Sequence, residues 1–448
     1  ERGIVSTVFA KDGCGMKIGN KLEDYVCSSE PENRSAFLLK QSAARLRIRD
    51  KDLQEIIKPY SVYIQRLPVS IVGVVVNIIS GIVLHNRARG PYKGGIRIAP
   101  DVDIWETTEL ARLMTLKTAL ADIELGGGKS GISVDLRALH KYMVKARRYT
   151  GGFRDFERMA KACIMAEFTH HFGWLFAKHA YIPAPDMGTG GDEMVHIYND
   201  LRDPAAVTGK PDGIEGWLPG RKEATGYGVY YATLKHMERA GRAPDECTVA
   251  IQGFGKVGSY AALYLHKAGA RVIGVTDLTG GVHLPEGLDI PALAAHVAER
   301  GCVRGFRART MDNAGLFRLK CDYLIPAASG HVITARNART LGAKVVVEGA
   351  NMPVTRDGMQ ILDNRGIEIL PDIYANAGGV IASNLEYRQA LGGTKFDLDY
   401  VLAHIRERFD AVYAAAAPLM KKGRTMPEAT MDIALQRVYD TMRQRSLI

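Results

Sequence analysis

The sequence predicts an α/β protein of two domains: an N-terminal α/β domain with a mixed sheet, then a Rossmann-like, doubly wound domain. Three observations predict it. Beyond about residue 223, apolar strand-length runs alternate with amphipathic helical stretches, the pattern of a parallel sheet with helices on its faces. A GxGxxG triplet, Gly253, Gly255 and Gly258, stands at the first of these strand–helix junctions. Ahead of them, a Val- and Ile-rich stretch from Leu67 to Leu84 is cut by Pro68, Gly73 and Gly81 into strand-sized pieces, which suits turns between strands and not a membrane helix. The 448 residues allow two or three domains at about 150 residues each. With 46% hydrophobic and 24% charged residues, the composition excludes a disordered or fibrous chain.

In the first half, residues 36–58 read as one amphipathic helix closed by Pro59. Strands follow at 62–64, 69–76 and 81–84. Arg89-Gly90-Pro91-Tyr92-Lys93-Gly94-Gly95 reads as a loop, and 103–122 as a helix. A glycine cluster from Gly126 to Gly131 precedes a short strand at 132–135. Helical periodicity resumes over 153–172, and Ile182-Pro183-Ala184-Pro185-Asp186 reads as a loop stiffened by its prolines. Asp192 is the expected N-cap of the next helix. Gly- and Pro-rich texture over 200–225 marks a hinge.

In the second half, a helix at 223–240 precedes strand 248–252, a glycine turn, helix 256–268 and strand 271–277. Short strands near 322–326, 344–348 and 367–370 extend this βαβ unit, and helices at 397–421 and 427–444 close the chain. In Gly253-Phe254-Gly255-Lys256-Val257-Gly258 the first glycine permits the tight turn, the second lets a pyrophosphate approach the backbone, and the third lets helix meet strand. The pyrophosphate then sits on the unsatisfied amides of the helix N-terminus. Asp277, twenty-four residues after Gly253, ends the next strand, where a carboxylate accepts hydrogen bonds from a ribose hydroxyl of NAD. Lys256 and nearby basic residues suit a 2′-phosphate equally, so NAD and NADP both remain open.

Three lysines carry a chemical signal. Leu110, Leu113, Met114 and Lys117 fall at i, i+3, i+4 and i+7, which puts Lys117 on an apolar helical stripe. Lys93 and Lys129 each stand among glycines, where missing side chains admit a ligand. Three amines converging on one cleft would form an anion pocket and depress one another's pKa, and a lysine shifted toward neutrality serves acid/base catalysis. Asp186, held between prolines and glycines, is a candidate proton carrier. Gly128-Lys129-Ser130 ends like a GxxxxGK[ST] phosphate loop, but the first glycine would be residue 123, which is Ile123, and a strand follows where that motif needs a helix. A nucleotide triphosphatase is excluded.

The 59 Lys+Arg against 49 Asp+Glu give a net charge of +10. Clusters such as Arg45-Leu46-Arg47-Ile48-Arg49 raise nucleic acid as an alternative partner, but Asp50 and Asp52 follow at once and no stripe of alternating aromatic and basic residues appears, so none is expected. The six cysteines show neither metal-ligand nor disulfide spacing, which points to no metal site and a reducing, cytoplasmic setting. No membrane association is expected. His170-His171 reads as a pair of ordinary histidines, because adjacent helical residues face different directions.

Arg89 to Arg97, Leu113-Met114-Thr115-Leu116-Lys117, Gly127-Gly128-Lys129, Pro183-Ala184-Pro185-Asp186, Ala224-Thr225-Gly226, Gly253-Phe254-Gly255, Glu348-Gly349-Ala350-Asn351 and Asn376-Ala377-Gly378-Gly379-Val380 together resemble the Glu/Leu/Phe/Val amino-acid dehydrogenases, specifically the glutamate dehydrogenases. The resemblance runs over about residues 36–448. It implies that Lys117 holds the substrate α-carboxylate, Lys129 is the catalytic lysine and Asp186 shuttles protons. It implies that Lys93 and Ser383, with Gly94 and Val380 beside them, receive the side-chain carboxylate. Thr225, Asn351 and Asn376 would meet NAD or NADP near its nicotinamide end. It further implies L-glutamate, 2-oxoglutarate and ammonia as reactants, a homohexamer, and a split into residues 1–200 plus 425–448 for substrate and assembly and 201–424 for the dinucleotide. Ser130 and Met352 stand where the family usually has glycine, and Lys256 where it often has Asn.

Overall fold

The computed structural model describes residues 33–448. Cys14, Cys27 and the opening stretch placed in the first domain lie outside the described residues. The N-terminal half contains α1 (Arg34–Arg45), α2 (Asp50–Ile57), β1 (Ser61–Ile71), β2 (Val74–Asn86), β3 (Tyr92–Ala99), α3 (Ile104–Leu120), β4 (Gly127–Ser133), α4 (Leu136–Lys145), α5 (Phe153–Ala177), β5 (Tyr181–Pro185) and α6 (Gly191–Leu201). Its sheet runs β1-β2-β4-β3-β5. β1/β2 and β2/β4 are antiparallel while β3 lies parallel to both β4 and β5, the mixed sheet expected from the sequence.

Several local expectations change. The helix expected over 36–58 is two helices, broken where Arg47 takes a left-handed conformation at φ 56°. The three short strands are one long hairpin, turning at Val72 and Gly73, both at positive φ. Gly81 is no break: it lies inside β2, where a Cβ would meet Ile104 Cδ1 at 3.1 Å. α5 continues past Gly173 to Ala177, and Gly190, not Asp192, caps α6, with the Glu193 carboxylate accepting the Gly190 amide at 2.5 Å. The largest correction concerns the two expected loops and the glycine cluster. Residues 92–95 open β3, 127–131 belong to β4 and 182–185 to β5. Glycine and proline are poor strand residues, which is why sequence pattern alone misplaces them. Proline is nonetheless admissible here, since Pro68 lies in β1 and Pro183 and Pro185 in β5, the two edges of the sheet.

The second half contains α7 (Ala224–Arg239), β6 (Thr248–Gln252), α8 (Lys256–Lys267), β7 (Arg271–Asp277), β8 (Gly280–His283), α9 (Ile290–Arg300), β9 (Arg309–Met311), α10 (Asn313–Arg318), β10 (Cys321–Pro326), α11 (Ala335–Ala338), β11 (Ala343–Val347), α12 (Arg356–Asn364), β12 (Glu368–Leu370), α13 (Asp372–Ala375), α14 (Gly378–Gly392), α15 (Leu398–Lys421) and α16 (Met426–Gln444). The sheet order is β12-β11-β10-β6-β7-β8-β9, parallel from β12 to β7. Such strands are covered on both faces and read as continuous apolar runs, as in Val249-Ala250-Ile251.

One core lies between the first sheet and α5–α6, built on Leu67, Ile96, Phe156, Phe168 and Phe176. The other surrounds the second sheet and continues into α1, α3 and α16 through Leu39, Leu116 and Leu435. The last helix thus returns to the N-terminal half: Arg45 pairs with Asp432 at 2.7 Å and Glu428 at 3.2 Å, and Arg437 donates to the carbonyls of Ala119 and Leu120. No helix among the described residues is long and apolar enough to cross a membrane.

Candidate active site

The parallel strands β3, β4 and β5 carry the polar groups of the cleft, near the start of β3 and β4 and at the end of β5. Lys93 lies on β3, Lys129 on β4, and Asp186 directly after β5. The glycines around them are required by close backbone contact: a Cβ on Gly94 would run into the Gly128 carbonyl, and one on Gly95 would meet Asp186 Cβ at 2.7 Å. Because side chains alternate along a strand, Ser130 points opposite to Lys129. It is fully buried and donates to Tyr181 Oη at 2.9 Å, and Tyr181 Oη donates to the Gly94 carbonyl at 3.2 Å. The extra side chain at 130 therefore fills the core and leaves the space beside Lys129 untouched.

Lys129 is 3% exposed and its ammonium contacts the Asp186 carboxylate directly. Arg97 donates to the other oxygen of Asp186 at 3.2 Å and pairs with Glu106. The Asp186 backbone amide donates to Thr189 Oγ1 at 2.8 Å, which fixes the position of this acid. Burial, then Arg97 and Lys117, hold Lys129 well below the usual lysine range, with a smaller push from Lys93. Of the mutual depression expected among the three lysines, only the effect of Lys117 and Lys93 on Lys129 is present, and desolvation exceeds it.

Lys117 on α3 donates to Asn351 Oδ1 at 3.1 Å, and burial lowers its pKa to about 8. Asn376 Nδ2 reaches the same oxygen at 3.1 Å and the Gly349 and Ala350 carbonyls at 3.2 Å. Its own Oδ1 is buried without a partner, an acceptor free for an amide donor.

Lys93 is 1% exposed and makes no hydrogen bond or ion pair among the described residues. Burial lowers its pKa well below the ordinary value. Arg221 adds to that effect, and Glu386 opposes it. Glu386 is completely buried on α14, one turn after the buried Ser383 and two after Val380. Its carboxylate takes Lys210 Nζ at 2.9 Å, Arg221 Nε at 3.7 Å and the Gly209 and Lys210 amides. Lys210 is also satisfied by the Pro204 and Val207 carbonyls.

The dinucleotide residues lie on the facing wall. Gly253 adopts φ 92°, a Cβ on Gly258 would collide with the Gly253 carbonyl, and a Cβ on Gly255 would meet nothing. Gly255 caps α8 without a side chain, so the first amides of the helix, at Lys256 and Val257, are free for a phosphate. Phe254 sits buried in the turn and Thr225 against Gly379 at the start of α7. Lys256 reaches toward Gly190 across the cleft. Asp277 ends β7, yet its Oδ1 already accepts the Thr279 amide at 2.7 Å and its Oδ2 the Val303 amide at 2.7 Å. Oδ1 also accepts the Thr279 hydroxyl at 2.6 Å, so the further lone pair for a ribose is on Oδ2.

Sequence reading missed four of these groups. Arg97, Lys210, Arg221 and Glu386 acquire meaning only from partners distant along the chain. The available signal was Glu386, an acid one turn after Ser383 in a helix buried nearly throughout. Within the basic run at 45–49, Arg45 pairs with α16 and the exposed Arg49 with its neighbour Asp52, while Arg47 is exposed.

Two family models and several known proteins match the chain. Residues 216–446 match Glutamate/Leucine/Phenylalanine/Valine dehydrogenase, and 59–203 match the Glu/Leu/Phe/Val dehydrogenase dimerisation domain. The chain is 39% identical over 375 residues to glutamate dehydrogenase A2 of Halobacterium salinarum, covering 81% of this chain and 85% of that one. It is 36% identical over 416 residues to a glutamate dehydrogenase of Thermotoga maritima, covering 90% and 96%. Among solved structures, a leucine-bound, hetero-hexameric glutamate dehydrogenase of Thermus thermophilus superimposes with a TM-score of 0.81 at 27% identity, covering 92% of this chain and 95% of that one.

Proposed function

Since the chain belongs to the Glu/Leu/Phe/Val dehydrogenase family of NAD(P)-using amino-acid oxidoreductases, we propose that it catalyses the reversible oxidative deamination of L-glutamate to 2-oxoglutarate and ammonia. One observation carries the choice of substrate. Lys93, Lys210 and Arg221 share a single buried carboxylate, Glu386, and Lys93 has no partner of its own. A second carboxylate, on the substrate side chain, balances that surplus. An aliphatic side chain would leave the buried Lys93 amine without a partner, whereas a carboxylate pairs with its charged form.

In this reading Lys93 and Ser383 hold the distal carboxylate, with Arg221 nearby and Gly94 and Val380 shaping the wall. Lys117 holds the α-carboxylate. The cofactor, when bound, accepts the hydride from Cα. The glycine turn from Gly253 to Gly258 seats its pyrophosphate, Asp277 its ribose, and Thr225, Asn351 and Asn376 its carboxamide end. Asp186 accepts a proton from the substrate ammonium, so the nitrogen lone pair is free to form the imine as hydride leaves. Lys129, held toward its neutral form, takes a proton from water attacking the imine carbon, and Asp186 returns its proton to the departing ammonia.

Residues 1–200 with 425–448 serve substrate and assembly in this proposal, 201–424 serve the dinucleotide, and the assembly is a hexamer. Steady-state rates with glutamate and leucine, each with NAD and NADP, test it. The expected result is kcat/KM at least about a thousandfold higher for glutamate. Faster turnover of leucine overturns the substrate.

A further inference from the structure

Behind the cleft lies a second polar bridge that the reaction as described does not use. Arg34, the first residue of α1, is buried and paired with Glu348, which is completely buried at the end of β11. The other Glu348 oxygen accepts the Asp372 amide at 2.9 Å. Asp372 in turn accepts the Met352 amide at 2.8 Å, and Met352 is held at φ 47°, a left-handed conformation that disfavours a side-chain-bearing residue. Arg34, Glu348 and Asp372 therefore brace both ends of the segment 348–352. Asn351 lies inside that segment, and its side-chain oxygen is the one Lys117 and Asn376 share. On the opposite side, Asn33 Nδ2 donates to Glu109 of α3 at 2.6 Å, so the start of α1 is also fixed to the helix that carries Lys117.

We propose that the Arg34–Glu348 pair is a positioning device for Asn351. It holds the 348–352 segment from behind, so that the asparagine amide stays in register with Lys117 and with the nicotinamide end of the cofactor. The proposal rests on the reading of Asn351 as a cofactor contact. It makes α1, which precedes the first family-matched residue at 59, a working part of the site. Two features support a positioning role over a stabilising one. Replacing a buried ion pair by neutral groups of similar size is commonly neutral for stability, so stability alone does not account for the pair. Burial also raises the Glu348 carboxyl to about 7 against the pull of Arg34, an arrangement costly to keep unless it fixes geometry.

The test is a cycle of four proteins: wild type, Asn351→Ala, Arg34→Met/Glu348→Gln, and the three substitutions together. The pair variant is expected to lose about 10- to 100-fold in kcat, since small misplacements near the reacting atoms cost that much, with KM for glutamate within about twofold. The combined protein is expected to be no slower than Asn351→Ala alone. A combined loss equal to the product of the separate losses overturns the positioning role while leaving the reading of Asn351 intact. Full activity of Asn351→Ala overturns that reading instead. Hydrogen exchange of the cofactor-free enzyme gives an independent readout. Amides 349–353 are expected to exchange about tenfold faster in the pair variant and at the wild-type rate in Arg34→Lys; unchanged exchange in the pair variant overturns the proposal. Where the pair variant does not fold, Glu348→Asp, which keeps the charge but withdraws the carboxylate by one methylene, is read the same way.

Discussion

The two walls of the cleft use glycine and charge differently. On the dinucleotide wall, glycines make a turn. Gly253 takes a conformation that other residues avoid, and the free groups offered to a ligand are backbone amides at the start of α8. On the substrate wall, Gly94, Gly95 and Gly128 lie within strands, and their absent side chains let β3 and β4 and the end of β5 crowd together. What is offered there is buried side-chain charge: Lys93, Lys117 and Lys129. A diphosphate shared by countless partners is read by main chain, whereas a particular amino acid needs ammonium groups placed one by one. The first wall tolerates change in its side chains, and the second does not.

Breaking the substrate wall at its centre gives the largest expected effect. Lys129→Ala should lower kcat by about 10²- to 10⁴-fold while the dissociation constant of reduced cofactor, read by fluorescence titration, stays within about twofold. Retained turnover removes Lys129 from catalysis. Next comes Lys93→Met, expected to cost about a hundredfold or more in kcat/KM for glutamate and to raise relative activity on norleucine. A uniform loss on both substrates would mean that Lys93 supports the fold and does not choose the substrate. On the facing wall, Gly258→Ala places a methyl group against the Gly253 carbonyl. Overpacking of this kind costs about 1–3 kcal/mol, so cofactor should bind about tenfold more weakly, with no change in the preference for glutamate over leucine.

Proton titration gives a smaller effect that separates the walls further. Lys117 must be charged to hold a carboxylate, and its lowered pKa of about 8 means the charge is present below that pH and lost above it. KM for 2-oxoglutarate should therefore climb as pH passes 8, with KM for cofactor flat. A flat 2-oxoglutarate profile to pH 9 would exclude Lys117 as the carboxylate ligand. The smallest effect belongs to Ser130→Gly, which loses the hydrogen bond to Tyr181, worth about 0.5–1.5 kcal/mol, and some strand propensity. A modestly lower Tm with kcat within twofold is expected.

The same contrast explains what the sequence could reveal. The β6–turn–α8–β7 unit is local: its strand, glycines and acid follow one another within thirty residues, and each states its structural reason in sequence order. The mixed sheet was legible as a class but not in its parts. Gly94, Gly128 and Pro183 argue for loops by propensity, and only contacts with strands distant in sequence make them strand residues. Lys117 was legible because helical periodicity exposed it on an apolar stripe. Arg97, Arg221 and Glu386 were not, because a charged residue looks solvated until its buried partner is known. Arg34 was hidden for the same reason, three hundred residues from Glu348.

The return of α16 to α1 and α3 has a consequence for biosynthesis. Leu39, Leu116 and Leu435 belong to one core, and the carbonyls at the end of α3 are covered by Arg437. Translation proceeds at about 5–20 residues per second, so the seat for the last helix stands open for some tens of seconds after α3 emerges from the ribosome. During that interval an apolar face of the nascent chain is shielded only by whatever the cell supplies. A message truncated ahead of α16 would release a protein in which both walls of the cleft are complete and their foundation is missing.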